Sequence, residues 1–199
     1  MAMESTAIDS GGRRHKLRAM RAMVAVAASI LIVCRPALAD EGADFGVAPA
    51  RELRLSDHAA PTPREVPGAR TIGTPQLRAW LERDAPPRPL LFDVVGGTGH
   101  ESIPGAHWLP GAGRGSSFDD PLQAELARTL QALTGGDQAR PLVFFCVSTH
   151  CWLSYNAALR AIALGYRGVY WYRGGLEAWV DAGGHLAPVR PQQWNRPAE

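Results

Sequence analysis

Apolar residues along the chain fall into two kinds of segment that alternate with each other. Short continuous apolar runs bounded by turn residues are typical of buried strands, and they occupy residues 90–95, 107–109, 141–147 and 169–172. Longer segments carry apolar residues at helical spacing, and they begin at Thr74, Asp119, Trp152 and Leu176. This alternation predicts an α/β fold with a mainly parallel sheet flanked by helices.

Capping residues predict where two of these helices begin and end. Thr74 is expected to be the N-cap of the first helix, because Pro75 follows it at a position that favours proline. In the second helix the leucines at 122, 126, 130 and 133 form one face, and Gly135-Gly136 marks the end. Residues 141–147 are apolar on both faces, which is typical of a central strand in a parallel sheet.

The first 39 residues predict a signal peptide rather than a part of the fold. Basic residues between Arg13 and Arg21 precede an uncharged, mostly apolar run at 22–33, and Ala37-Leu38-Ala39 has the small-x-small pattern of a cleavage site. The apolar run is short for a bilayer span, so a retained membrane anchor is the weaker interpretation. We expect cleavage after Ala39 and export to an oxidising compartment.

Charge and composition exclude several classes of function for the remaining chain. Of the 21 basic residues six precede residue 40, whereas two of the 19 acidic residues do, so residues 40–199 have a net charge of −2. A mildly acidic domain offers no basic surface to nucleic acid or to an anionic membrane. Lys16 is the only lysine, so any fixed cation that meets an anionic substrate after residue 40 must be an arginine.

The rest of the chain divides into three segments. Residues 40–70 are rich in proline, alanine, glycine and charge without a sustained period, and we interpret them as an extended N-terminal arm. Residues 71–188 contain all the predicted strands and helices and are long enough for one core of ordinary size. Residues 189–199 form a C-terminal tail.

Cys146 is the candidate reactive residue. It stands at the end of the predicted central strand, and function gathers at the carboxyl ends of strands in open α/β sheets. A tight loop before a helix turns backbone N–H groups inward, which lowers a thiol pKa and favours the nucleophilic thiolate. The N–H groups of residues 147–151 are therefore expected to hold the thiolate or persulfide. The loop residues that would contact substrate are Val147, Ser148, Thr149, His150 and Trp152.

The neighbours of Cys146 leave alternatives open. Cys151 is a resolving thiol, a metal ligand or a filler, and a disulfide with Cys146 requires Cα atoms within about 7 Å. His150 is a solvated loop residue, a group that favours the thiolate, or a third ligand beside the two cysteines in a zinc or copper site, which is the minority interpretation.

Three further residues are expected to support this site. Asp93 is expected to be mainly structural, bonding loop backbone at a strand end. Arg160 and Arg173 are the cations expected to meet an anionic sulfur donor. We expect Trp152 to shape the mouth of the site.

Several motifs occur together in the order found in one known family. They are Asp93 after the early strand, the turn Ile103-Pro104-Gly105-Ala106, the loop that Cys146 opens, and Arg173-Gly174-Gly175-Leu176-Glu177-Ala178-Trp179. Over residues 71–187 the chain therefore resembles the rhodanese superfamily.

More narrowly, it resembles the pyrroloquinoline-quinone-dependent catabolism-associated CXXCW-motif proteins. That resemblance rests on Leu133-Thr134-Gly135-Gly136-Asp137, Cys151-Trp152, Ala163-Leu164-Gly165-Tyr166, and the arm segments Arg54-Leu55-Ser56-Asp57 and Ala60-Pro61-Thr62-Pro63. Four residues separate Cys146 from Cys151, more than that motif carries, and this restores the usual rhodanese loop length.

The resemblance implies a three-layer rhodanese-like fold and a periplasmic protein of bacteria that oxidise alcohols through quinoproteins. We expect Cys146 to act in sulfane-sulfur transfer or thiol–disulfide exchange, with Cys151 attacking afterwards, and we expect no cofactor. The expected partners are a small sulfur donor or a thiol, and a periplasmic quinoprotein or its cytochrome. The alternative is a non-catalytic binding or maturation protein with a permanent Cys146–Cys151 disulfide or a metal site. The sequence leaves open whether the arm folds back over the domain.

Overall fold

The computed structural model describes residues 40–83 and 85–192. The predicted signal peptide at residues 1–39 lies outside the described residues. Residues 193–199 of the predicted tail also lie outside them. Within the described ranges the elements follow one another as β1 (Arg70–Ile72), α1 (Thr74–Glu82), β2 (Leu90–Asp93), β3 (His100–Ser102), β4 (His107–Trp108), α2 (Pro121–Thr134), β5 (Leu142–Phe145), α3 (Trp152–Ala163), β6 (Val169–Tyr172), α4 (Gly175–Asp181) and β7 (Ala187–Val189).

Five of the strands form one parallel sheet in the order β1-β6-β5-β2-β4, which confirms the predicted α/β class. The central strand is β5, where Phe144 lies opposite Phe92 of β2 on one side and Trp171 of β6 on the other. The sequence pattern did not predict β1, β3 or β7, which have three residues each. The last two pair with each other in a separate antiparallel ribbon.

Side chains of β5 alternate between two apolar cores, one on each face of the sheet. Phe144 and Cys146 belong to the core that contains buried residues of α2 and α3. Val143 and Phe145 belong to the core that contains buried residues of α1 and α4. Because successive strand residues point to opposite faces, the apolar run at 141–147 serves both cores, as its pattern predicted. Cys146 continues this alternation and its side chain lies against α3.

The start of α2 agrees with the sequence, and the start of α1 does not. Asp120 caps α2 by accepting a hydrogen bond from Gln123 N at 2.8 Å. The N-cap of α1 is Gly73 rather than Thr74. Thr74 instead donates its backbone N–H to the carboxylate of Glu41, at 2.8 and 2.9 Å. A carboxylate at a helix N-terminus is favourable because the helix dipole is positive there, so the arm performs the capping that Thr74 was expected to perform.

The arm folds back onto the domain and lies along α3. Tyr155 Oη accepts the backbone N–H of Ala50 at 2.8 Å and donates to its carbonyl at 2.7 Å. The side chain of Asn156 accepts from Arg54 N at 3.0 Å and donates to Arg54 O at 2.8 Å. Tyr155 and Asn156 are fully buried, so these arm partners satisfy polar atoms that solvent does not reach. In the described ranges no helix has the length and apolar character needed to cross a bilayer.

Candidate functional site

Cys146 and Cys151 are joined by a disulfide bond. Cys146 directly follows β5, and Cys151 is the N-cap residue of α3. Their sulfur atoms lie 1.99 Å apart and their Cα atoms 6.1 Å apart. The loop geometry therefore permits the disulfide that the sequence left open, and the bond closes the loop into a ring of six residues. Among the described residues no group of three His, Cys, Asp or Glu side chains is arranged to hold a metal ion.

The two cysteines differ in exposure. Cys146 retains 2% of its accessible surface and lies within the core beside α3. Cys151 is half-buried and only borders that core. The difference arises because Cys146 continues a central strand, whereas Cys151 stands at the start of a helix at the edge of the loop. Cys151 is therefore the more exposed residue of this disulfide.

The backbone N–H groups of the loop form a smaller cradle than the sequence predicted. His150 N donates to Ser148 Oγ at 3.3 Å, and Cys151 N donates to Ser148 O at 3.2 Å. These two N–H groups are already used, which corrects the expectation that all of residues 147–151 hold a substrate anion. The N–H groups of Val147, Ser148 and Thr149 have no acceptor among the described residues. These three groups can meet a negative charge.

The arm covers one side of the loop. Thr149 O accepts two hydrogen bonds from Thr62, from its backbone N at 3.1 Å and from Oγ1 at 2.6 Å. The ring of Phe45 lies 4.9 Å from the ring of His150, measured between centroids. Thr149 is buried, whereas Val147 and His150 are exposed and Ser148 is half-buried. The carbonyl of Thr149 is thus anchored to the arm and its side chain is not an exposed substrate contact, so the exposed side chains of the loop are those of the other three residues.

Trp152 does not shape an open mouth, contrary to expectation. Its side chain is buried, and its indole Nε1 donates to Pro61 O at 3.0 Å. Its backbone N–H donates to His58 O at 2.9 Å, and the Arg54 guanidinium lies 4.8 Å from its ring centroid. Trp152 therefore contacts the arm, and the expectation that it contacts substrate is wrong.

Arg173 is bonded to the arm that contacts the loop and is not available to an anionic donor. The residue is 2% exposed, and its guanidinium donates to carbonyl oxygens of Glu41, Ala43 and Thr62, at 3.0, 2.7 and 2.9 Å. Burial lowers the pKa of this guanidinium from its ordinary value, and the neighbouring Arg64 lowers it further. Arg173 therefore fixes the arm through Thr62, and the expectation that it meets a sulfur donor is wrong.

Arg160 is also removed from the loop. Its side chain is fully buried and forms an ion pair with Asp120, with Nη2 at 2.8 Å from Oδ2. The same guanidinium donates to Ser117 O at 2.9 Å and Arg114 O at 2.7 Å. It therefore joins α3 to the segment that leads into α2. A guanidinium without solvent contact cannot meet a soluble anion, so this expectation is wrong as well.

The Asp120–Arg160 pair makes stability depend on pH in acid. Burial raises the pKa of Asp120, but hydrogen bonds from Arg160 and from the backbone of Gln123, Ser117 and Ser116 outweigh it and lower that pKa from 3.8 to about 2. A depressed pKa in the folded state stabilises the fold above pH 3.8, and this stabilisation of about 2 kcal/mol is lost as pH falls towards 2.

We expect Asp120→Asn to flatten the acid dependence of stability, because asparagine still caps a helix but does not titrate. The measurement is urea unfolding at several pH values between 2 and 5 for both proteins. An equal loss of stability in wild type and variant would show that another carboxyl group controls the acid transition.

Asp93 is buried at the end of β2 and holds the turn that follows. Its Oδ1 accepts Val95 N at 2.9 Å, and its Oδ2 accepts from Ser102 Oγ at 2.5 Å and lies 2.6 Å from His100 Nε2. These bonds agree with the expected structural role.

The sequence did not predict that Glu41, Phe45 and Thr62 of the arm contribute to the site, because nothing in a segment without periodicity indicates which side chains contact the loop.

Comparisons with known proteins agree with this architecture. A profile of the rhodanese-like domain matches residues 74–182. Among solved structures, the chain is similar to a thiosulfate sulfurtransferase from Pseudomonas aeruginosa, with 18% identity and a TM-score of 0.45 over 65% of this chain and 22% of that one. It is also similar to the BH2092 protein from Bacillus halodurans, with 17% identity and a TM-score of 0.46 over 60% and 77% of the two chains. These likenesses concern the fold alone. A comparison with curated proteins found no match.

Proposed function

The chain belongs to the rhodanese-like domain family, and from this premise we propose that it is a thiol-dependent sulfur-transfer or redox protein that works through Cys146 and Cys151. The observation that carries the proposal is the disulfide between these residues in the loop after the central strand. Reversible closure of such a bond needs two cysteines within reach of each other, with solvent access to one of them. Both conditions are met here.

The proposed chemistry has three steps and starts from the reduced protein. The Cys146 thiolate attacks the outer sulfur of a donor such as thiosulfate, which forms a persulfide on Cys146 and releases sulfite. The Cys151 thiolate then attacks Sγ of Cys146, which forms the disulfide and releases hydrosulfide. A thiol reductant finally supplies two electrons and two protons and restores both cysteines. The observed disulfide corresponds to the state before this last step.

Thiosulfate is expected to be a poor donor. Arg160 and Arg173 are both buried in other contacts, so a doubly charged donor would meet chiefly the three unbonded N–H groups of Val147, Ser148 and Thr149. A donor with less charge, such as a persulfide, would lose less hydration energy on entering this site. We therefore propose that small sulfane-sulfur compounds or thiols are the physiological partners.

The proposal extends to location and partners through the sequence alone. The predicted signal peptide at 1–39 and the resemblance to the CXXCW-motif proteins support export to the periplasm and a link to quinoprotein-dependent alcohol oxidation. A quinoprotein or its cytochrome is the corresponding protein partner. The net charge of −2 over residues 40–199 argues against nucleic acid and anionic membrane as partners. The three steps require no cofactor.

A second function is favoured by the way in which the arm holds the loop. Thr62 donates a hydrogen bond to Thr149 O, and Arg173 donates one to Thr62 O. The loop that contains the disulfide is therefore held in place by the arm. A binding or maturation protein would use such a segment with the disulfide permanently closed. Thiol titration of the native protein distinguishes the two functions, because a permanent disulfide stays closed with a physiological thiol and opens only after unfolding.

We expect Cys146→Ser to abolish persulfide formation. The measurement is intact-protein mass spectrometry after reduction and incubation with thiosulfate, in a Cys34→Ser background so that only the loop cysteines react. The parent protein should gain one sulfur atom that cyanide removes, and its disulfide should then re-form. The matched variant Cys151→Ser should keep the added sulfur, because the resolving thiolate is missing. Undiminished sulfur gain in Cys146→Ser would contradict the proposal.

A further inference from the structure

The two sulfur atoms of the disulfide offer an incoming thiol unequal access. Cys146 is 2% exposed and its side chain lies among residues of the core beside α3. Cys151 is half-buried and stands at the outer end of the loop. A thiolate must reach one sulfur directly while the other leaves, and the attacked atom is therefore set by access. In the closed disulfide of this protein Cys151 is the more exposed of the two residues.

We propose that the reducing thiol attacks Sγ of Cys151 and that Cys146 is the leaving thiolate. The inference rests on the proposed function, which requires the disulfide to be reopened, and it adds which atom the reductant meets. Cys151 is then more than a resolving residue for Cys146, since it also receives electrons from outside. Cys146 in turn acquires its nucleophilic form as the direct product of reduction.

This direction of attack places a negative charge on Cys146, next to three N–H groups of the loop that have no acceptor in the part of the chain that the structure describes. The N–H groups of Val147, Ser148 and Thr149 follow Cys146 directly and have no acceptor among the described residues. Successive N–H groups of a tight loop stabilise an anion, and a leaving thiol with a lower pKa leaves faster. Cys151 is the N-cap of α3, so a thiolate there would meet the positive end of the helix dipole, and the unequal exposure of the two cysteines decides the direction of attack.

We expect the reductant to be a dithiol. Its first thiolate forms a bond to Cys151 Sγ, and the Cys146–Cys151 bond breaks to leave the Cys146 thiolate, which takes up a proton. Its second thiolate then attacks the reductant's own sulfur in the mixed disulfide, which releases Cys151 as a thiol and leaves the reductant oxidised. Two electrons and two protons pass to the protein. Val147 in the loop and Phe45 beside it are 39% and 36% exposed, which suits a protein dithiol whose cysteine is flanked by apolar side chains.

The test locates the first adduct on the oxidised protein. The Cys34→Ser protein with its disulfide intact is mixed with excess reduced glutathione, quenched with acid after increasing times, and then alkylated. Fragmentation of the peptide that contains residues 146–151 shows which cysteine carries glutathione. Sulfite serves as a second probe, because it leaves a sulfonate on the attacked sulfur that persists for analysis. We expect both adducts on Cys151 in about ten-fold excess over Cys146.

The outcomes separate this inference from the function on which it rests. Adducts on Cys146, or equal amounts on both cysteines, would overturn the inference and leave the proposed function intact. Failure of both probes to form an adduct while dithiothreitol opens the disulfide would also overturn it, because a reachable Cys151 must react. A disulfide that dithiothreitol cannot open in the folded protein would instead refute the proposed function.

Discussion

Replacing Arg160 by leucine is expected to lower the free energy of unfolding by about 3–5 kcal/mol. The guanidinium is fully buried and pairs with Asp120, whose side chain is 8% exposed. Leucine would leave that carboxylate without its charged partner and would remove the donor for the carbonyls of Ser117 and Arg114. A buried charge without a partner costs far more than the intact pair contributes. The measurement is equilibrium unfolding in urea with the disulfide intact.

Arg128→Leu is the matched control, because Arg128 also pairs with a carboxylate on a helix but its side chain is 68% exposed. We expect a change below about 1 kcal/mol there. In a double-mutant cycle, Asp120→Asn should recover part of the loss caused by Arg160→Leu, since the unpaired charge is then gone. A loss as small as that of Arg128→Leu would show that the buried pair does not hold α3 to the segment before α2.

Gly113→Ala is expected to destabilise the fold by about 3 kcal/mol or more. A Cβ at this position would lie 1.8 Å from the carbonyl oxygen of Leu153 and 2.6 Å from its Cα. Both are backbone atoms of α3, so no side-chain rotation relieves the overlap. Gly113 also accepts a hydrogen bond from Asn156 Nδ2 at 2.9 Å, which fixes the approach of the two segments. Because Leu153 lies two residues after Cys151, the displacement would reach the disulfide loop.

Thermal unfolding of Gly113→Ala beside Gly96→Ala checks this expectation. Nothing lies within 4 Å of a Cβ built on Gly96, which is exposed, and neither glycine has a positive φ, so backbone strain does not distinguish the two variants. The control should unfold close to the parent protein. If both variants unfolded at the same temperature, the close approach between Gly113 and α3 would carry no energetic weight.

Local patterns in the sequence predicted most of the sheet and the helices. The run at 169–172 coincides with β6, and the helix expected from Trp152 begins there. The missed strands have different causes. β1 is short and mixes polar with apolar residues, and β3 and β7 form a ribbon through a partner more than 80 positions away, at Ser102 and Ala187. Three residues are too few for periodicity to distinguish a strand from a loop.

The candidate loop was predictable, but the surroundings of the loop were not. Cys146 was found because a strand end, a tight loop and a following helix are all local signals. The roles of Arg160 and Arg173 were assigned wrongly because charge alone suggested that they face a substrate. Their partners lie 40 positions away at Asp120 and 111 positions away at Thr62, and no local pattern connects such residues.

The sequence by itself determined the α/β class, the central strand at 141–147 and the cysteine that ends it, because these depend on the periodicity of apolar residues and on neighbours within a few positions. Only the tertiary structure decided that Cys151 reaches Cys146, that the arm covers Trp152 and Thr149, and that two arginines are structural. Each of these depends on burial and on contacts between distant segments. Such contacts arise when the helices pack onto the sheet, and the pattern along one segment does not contain them.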